Sequence, residues 1–288
     1  MYKHILVPAT GAASDAAVYD TALQAARLAG AHLEFLHVKL DTTDVLMAMT
    51  SGGLGGGDVV QEVLDKMDAE AKVTERKAWE QFGALCQREG IVAGAVGPAD
   101  GVSAEMAVET GQEAQWLAEY GRFADLVVVG RTREGGDVDM EVLEAALMDT
   151  GRPLLIAAAH PPKALPGTVV IAWKDTPEAA RAVSAAMPFI DRADRVVILS
   201  VTEDDAAKDA SCERLRRSLR WHNANTEIQQ LARDGRPAVE VLLAAATQQQ
   251  ASLLVMGGYS HSRLREVVFG GFTQHVLRGA DLPVLMAH

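Results

Sequence analysis

Residues 251–288, ASLLVMGGYSHSRLREVVFGGFTQHVLRGADLPVLMAH, decide the fold. Residues 253–256 are a short apolar run, and its length and flanking glycines fit a buried parallel strand better than a helix. Gly257-Gly258-Tyr259-Ser260 comes next, followed by nine residues that include Arg263 and Arg265, and then by Gly270-Gly271-Phe272-Thr273. An apolar-periodic segment with Val276 and Leu277 stops at Gly279, and Pro283 starts a last strand over 284–286. Strand, glycine loop, helix and strand in this order let backbone N–H groups and a helix N-terminus converge on a phosphate.

The same pattern occurs earlier in the chain. Residues 124–130, ADLVVVG, match 251–257, ASLLVMG, and 152–156, RPLLI, match 282–286, LPVLM. In the first half, segments at 5–7, 32–38, 103–109 and 125–129 predict strands, with a fifth at 153–158. Between them lie helical patterns: one that Ser14-Asp15 can cap, a long one over 59–88, one entered through Thr110-Gly111, and one over 138–148. After residue 167 the order repeats, with strands at 168–173, 195–201 and 226–231 and helices at 177–190, 204–222 and 237–249. Strand–helix–strand units of this length imply parallel sheets with right-handed crossovers. Residues 159–167, AHPPKALPG, hold three of the ten prolines and separate a domain at 1–158 from one at 168–288.

At these residues the chain resembles the universal stress protein family, in tandem form. Nucleotide-binding members carry a glycine, two residues, a second glycine, nine residues, then a glycine followed by Ser or Thr. Gly257 and Gly270 keep the first and third glycine positions, Ser260 replaces the second glycine, and Gly271 replaces the hydroxyl residue, which Thr273 would supply from two places on. The resemblance implies two doubly wound α/β domains, Rossmann-like, each a five-stranded parallel sheet of order 3-2-1-4-5. It puts a ligand crevice where that order reverses. ATP or a related adenine nucleotide, with or without Mg²⁺, is the implied regulatory ligand of the C-terminal domain. In addition to the loop glycines and Arg263, the implied contacts are Lys174 and Asp175 after the first strand and Val201 at the end of the second. The family's usual Asp after the first strand is Lys174 here, and a Lys accepts no hydrogen bond from a ribose hydroxyl. Fifth strands often pair between family members, which implies a homodimer or an intrachain pseudo-dimer through 154–156 and 284–286.

The N-terminal copy differs. After Gly130 it reads Arg131-Thr132-Arg133-Glu134-Gly135-Gly136-Asp137-Val138-Asp139, so the nine-residue interval is lost and three carboxylates crowd the expected phosphate position. Such a loop repels a triphosphate. The expectation is that this half does not bind ATP.

Composition narrows the remaining classes. With 49% hydrophobic and 23% charged residues the chain reads as globular, and 288 residues suffice for two cores. A net charge of -12 argues against nucleic acid or an anionic membrane as partner. Cys86 and Cys212 form no CxxC pair, and the apolar run after Lys3 is too short for a leader, so a cytoplasmic protein is expected. The glycine run at 51–57 lacks the Lys and Ser/Thr of a phosphate loop. His222, His261, His275 and His288 have no metal-ligand spacing, and no catalytic base stands out. The alternative to a nucleotide-gated regulator is an interaction module that takes another small ligand or works through its surface.

Overall fold

The structure, a computed structural model, describes residues 1–41, 57–95, 97, 100–131, 140–160, 162–202, 210–258, 276 and 280–288. The N-terminal half contains β1 (His4–Pro8), α1 (Asp15–Arg27), β2 (His32–Lys39), α2 (Gly57–Glu89), β3 (Val92–Ala93) and β4 (Ser103–Thr110). It continues through α3 (Glu113–Gly121), β5 (Leu126–Val129), α4 (Met140–Glu144), a π-helical turn (Ala145–Asp149) and β6 (Leu154–Ile156). The C-terminal half contains β7 (Thr168–Ala172), α5 (Pro177–Ala185), α6 (Met187–Ile190), β8 (Arg195–Thr202) and α7 (Ala210–Leu219). It ends with β9 (Thr226–Ala232), α8 (Ala238–Gln248), β10 (Ala251–Gly257) and β11 (Val284–Ala287).

All these strands lie in one 11-stranded sheet of order β3-β4-β2-β1-β5-β6-β11-β10-β7-β8-β9. Counted within each half, the order is 3-2-1-4-5, with the two-residue β3 added at the N-terminal edge. Pairing is parallel throughout each half. At the centre β6 and β11 run antiparallel, with Leu154 opposite Met286, Leu155 opposite Leu285 and Ile156 opposite Val284. The fifth strands therefore join the halves as a pseudo-dimer within one chain.

Successive side chains of a strand point to opposite faces, so strands buried on both sides need apolar residues at every position. In β1, Ile5 and Val7 pack under α1 and α2 in one core layer, and Leu6 packs with Leu117 and Leu143 in the other. Further contacts tie the halves together. The Tyr2 hydroxyl donates to the Ala185 carbonyl, and its ring lies 6.0 Å from that of Phe189. Gln24 Nε2 donates to the Pro162 carbonyl at 3.1 Å, and Arg131 Nη2 to that of Leu282 at 3.2 Å.

Several local expectations need correction. The helix expected over 177–190 is two helices, because Pro188 has no N–H to continue the first one. The strand expected over 153–158 is regular only from Leu154 to Ile156, although the Pro153 carbonyl accepts from the Val127 N–H at 3.1 Å and the Ala157 N–H donates to the Val129 carbonyl at 2.9 Å. The N-terminal sheet has one strand more than five. In α2, Phe82 and Leu85 are buried, whereas Trp79, three residues before Phe82 and so on the same face, is 44% exposed and meets Phe82 edge-on.

Candidate functional site

The order of strands reverses between β1 and β5 in one half and between β7 and β10 in the other. Chain connections diverge to opposite faces there, leaving a crevice outside the carboxyl ends of the strands. In the N-terminal half the β1–α1 loop is fixed by a carboxylate. Asp15 accepts from Thr10 Oγ1 and from the Gly11 N–H, both at 2.8 Å, and from the Tyr19 hydroxyl at 3.4 Å. Burial raises the Asp15 pKa, and these hydrogen bonds oppose the shift. Ser14 makes no side-chain cap of α1, contrary to the expected Ser14-Asp15 cap, because Asp15 turns back onto the loop. Gly11 has φ +76°, and a Cβ on it would stand 2.5 Å from the Thr74 carbonyl oxygen, so α2 lies directly on this loop.

Where the loop, the end of β2 and α2 meet, a cavity of about 670 Å³ opens. Ala9, Thr10 and Gly11 form one wall, His37, Val38 and Lys39 another, and Glu70, Thr74 and Lys77 of α2 overhang it. Gln112, Glu113 and Glu141 complete its polar side. Lys39 Nζ stands 3.7 Å from Glu75 Oε2. His37 is 3% exposed, and its Nδ1 lies 2.6 Å from the Ala9 carbonyl oxygen. A carbonyl only accepts, so Nδ1 carries the hydrogen, and in the neutral ring Nε2 is left with a lone pair. That Nε2 is buried and has no hydrogen-bond partner. Sequence reading missed His37, although it ends the run HLEFLH, where a polar residue interrupts a strand read as buried.

A smaller cavity of about 40 Å³ lies beside it at the switch point, lined by Asp15, Glu113, Gly130 and Arg131 among others. Burial lowers the Arg131 pKa to about 10, with Asp281 acting in the opposite direction, and Arg131 Nε has no partner. Arg131 remains a cation at neutral pH, anchored on the C-terminal half through Leu282. Residues 132–139, including the three expected repelling carboxylates, lie outside the described residues.

In the C-terminal half the structure brings Lys174, Asp175, Val201 and Gly257 to the carboxyl ends of the adjoining strands β7, β8 and β10. Ser260, Arg263, Gly270, Gly271 and Thr273 lie outside the described residues. Lys174 and Asp175 are exposed, and Asp175 Oδ2 lies 3.2 Å from Arg214 Nη2 of α7. Thr176 caps α5 by accepting from the Ala179 N–H at 3.3 Å. A Cβ at Gly257 would stand 2.6 Å from Ala179 N and 2.8 Å from the Glu178 carbonyl carbon. The first glycine of the spacing thus has a steric reason of its own, since β10 ends against the N-terminal turn of α5. The Trp173 ring is half-buried, packs on the core and donates from Nε1 to Ser211 Oγ at 2.9 Å. It acts as a packing residue between β7 and α7.

Two doubly wound α/β units that share one sheet, each with its crevice at the strand ends, define a Rossmann-like fold in tandem. The model of the universal stress protein family matches residues 167–288. A search of curated proteins finds no match. Among solved structures, a universal stress protein from Archaeoglobus fulgidus DSM 4304 aligns over 99% of this chain and 97% of its own, at 14% identity and TM-score 0.70. A second, described as a universal stress protein from Pseudomonas aeruginosa UCBPP-PA14, aligns over 99% and 93%, at 14% identity and TM-score 0.59. At such identity the likeness is one of fold. It spans both halves, whereas the family match covers the second. Among the described residues no helix is long and apolar enough to cross a membrane.

Proposed function

We propose that this protein is a ligand-gated regulator of the universal stress class, which binds ATP or a related adenine nucleotide in its C-terminal half. One observation carries the reading. Gly257, the first glycine of the retained spacing, ends β10 beside β7 at the point where the strand order reverses, against the first turn of α5. Backbone N–H groups at such a helix start, together with Arg263 from the loop, favour an anion. Lys174, exposed at the mouth of the same crevice, replaces an acceptor of ribose hydroxyls with a cation that suits phosphate. Turnover has no candidate base, so the ligand acts through occupancy.

A second reading is supported by Trp173 and Asp175. The first is hydrogen bonded to Ser211 and the second is held by Arg214, so neither is free to meet a base or a sugar. On that reading the loop is a relic and the half serves as an interaction module. Isothermal titration of the full chain with ATP and Mg²⁺ separates the two, beside a Gly270→Asp, Arg263→Ala variant. Binding near one equivalent that is lost in the variant is the expected result. Absence of heat and of thermal shift at millimolar ATP would leave the interaction module.

A further inference from the structure

We propose that this protein associates head to tail: the basic end of α7 in one copy, with Trp221 at its tip, seats in the acidic groove between α3 and α4 of a second copy. The charge of the chain is divided unevenly. Residues 1–158 carry 25 Asp and Glu against 12 Lys and Arg, whereas residues 159–288 carry 14 against 15, so the negative excess lies in the first half. A second copy thus offers a basic patch on the second half a partner of opposite charge.

On the basic side, the Arg220 N–H donates to the Arg216 carbonyl at 3.0 Å and the Trp221 N–H to that of Ser218 at 3.2 Å, so the helical turn runs on past Leu219. Arg217 and Trp221, four residues apart, then share one side. Trp221 is 90% exposed, more than any other large apolar side chain among the described residues. Arg214 is paired with Asp175, and Arg216 forks onto Glu213. Arg217 and Arg220 are exposed and have no carboxylate partner among the described residues. Tryptophan and arginine are the side chains that most often anchor an interface.

On the acidic side, a groove of about 320 Å³ runs between α3, α4 and the π-helical turn. Its floor includes Ala118 and Ala145, both buried, and its rim carries Glu119, Glu141, Glu144 and Asp149 against a single cation, Arg122. Burial, together with repulsion from Asp149 and Glu141, raises the Glu144 pKa, as expected of a rim short of cations. Small side chains below leave room for a ring, and the carboxylates above match guanidinium groups. The two patches cannot meet within one chain. Through Cys212 and Leu219, α7 packs on the sheet face that carries Ile5 and Val7, whereas α3 packs through Leu117 on the opposite face. They also lie on strands six places apart, β1 for α3 and β8 for α7, which is about 29 Å at the usual spacing. Contact therefore needs a second copy. Because unlike patches meet, each contact leaves one patch of each kind free for a further copy.

Sedimentation velocity of the full chain tests this. In about 50 mM salt the weight-average mass should rise with concentration over about 10–100 μM without levelling at a dimer, and in about 500 mM salt the chain should be monomeric. The pair Arg217→Glu, Arg220→Glu should be monomeric in low salt, as should the pair Glu144→Lys, Asp149→Lys. None of these four side chains is buried, so thermal midpoints should stay close to that of the parent. An equimolar mixture of the two variants should form a one-to-one complex and stop there, since one intact patch of each kind remains. Trp221→Ala should weaken association at least tenfold. A parent that stays monomeric in low salt, variants that associate as the parent does, or a mixture that forms no complex would each overturn the proposal. So would retention of single-stranded DNA or anionic vesicles by the parent, lost in the arginine variant, without self-association. None of the substituted residues belongs to the nucleotide reading of the C-terminal half, so the two stand or fall apart.

Discussion

The two halves share one hydrogen-bond register and fill it differently at the strand ends. The Ala9 N–H donates to the Leu36 carbonyl at 2.8 Å, and the Trp173 N–H donates to the Leu199 carbonyl at 2.8 Å. Ala9 therefore corresponds to Trp173, and His37, one residue after Leu36, corresponds to Ser200. In the first half a methyl group and a histidine leave room under α2. In the second an indole occupies the space between the strand end and α7, hydrogen bonded to Ser211. The ladder dictates where a crevice lies, whereas the side chains at the end of the first strand differ between the halves. Gene-repeat symmetry in such a fold is a symmetry of backbone, and the sites need not be equivalent.

The strongest test of the comparison asks whether the halves are separable at all. Leu155 is fully buried opposite Leu285 at the junction of the two sheets. Leu155→Asp puts an unpaired charge there and is expected to cost about 4 kcal/mol or more. Of the four tryptophans, Trp79 and Trp116 belong to the first half and Trp173 and Trp221 to the second. Single-tryptophan variants followed through denaturant unfolding should all shift their midpoints together. If Trp173 and Trp221 keep the parent midpoint while the others move, the sheet is two folding units in contact.

The glycines at the ends of the fourth strands give a sharper, smaller contrast. A Cβ at Gly257 meets the backbone of α5 at 2.6 Å, whereas among the described residues one at Gly130 meets only the Val18 Cγ2 methyl at 3.1 Å. Backbone cannot swing aside as a side chain can, so Gly257→Ala should cost about 2–3 kcal/mol and Gly130→Ala under about 1 kcal/mol. Equal costs would show that both strand ends yield alike. They would also weaken the steric explanation for the first glycine of the loop.

The Asp15 latch has no counterpart in the C-terminal loop, where Thr176 caps α5 directly. Asp15→Ala leaves the Gly11 N–H and the Thr10 hydroxyl without their acceptor and should cost about 1–2 kcal/mol. The pH response tests the cause. Because burial raises the folded pKa, the folded state holds the proton more tightly than the unfolded chain. Stability is therefore greatest at the acid end, and declines as pH rises from the ordinary carboxylate range through the raised value. Asp15→Asn should remove that decline, measured as the difference in denaturation midpoint between variant and parent across that interval.

The repeat was legible because buried parallel strands need apolar residues at consecutive positions, and ADLVVVG and ASLLVMG satisfy that requirement in the same way. Strand order and the pairing of the fifth strands came from the resemblance, since nothing in LLI or VLM states which neighbour it takes, and the antiparallel sense of the seam came from the structure. Side chains that act against the rule of their element were not legible. Asp15 sits where a helix-start acid belongs, and only the fold shows it turned back onto Thr10 and Gly11. His37 reads as one more residue of a strand until the Ala9 carbonyl is found to take its Nδ1 hydrogen and its Nε2 is found buried without a partner. Trp173 could be weighed as packing or stacking from its position, and the Ser211 hydroxyl decides for packing. The residues expected to hold phosphate, from Ser260 to Thr273, rest on spacing alone.

The smallest expected effect lies at the opposite end of the strands from the crevice. His4 Nε2 stands 2.9 Å from Glu34 Oε2 across β1 and β2, and registers place Thr168 and Val197 at the same points of the second half. At this point of the sheet the histidine–carboxylate pair therefore belongs to the first half, and the second half carries its own elsewhere, between His222 and Asp191. The hydrogen bond to Glu34 raises the His4 pKa most, burial opposes it, and the Glu34 charge, the Phe123 carbonyl and Asp125 add to the rise. With the folded value above the unfolded one near 6.5, the pair's contribution is fully present below about pH 6.5 and is lost as pH rises through the folded value. The pair is partly exposed and screened, so the amplitude should be about 0.5 kcal/mol. His4→Gln should flatten the loss between pH 6 and 8 in chemical denaturation, whereas Thr168→Val should leave the profile unchanged. A flattened profile in the second variant would mean that the pH response belongs to the shared sheet and not to the half that carries the histidine.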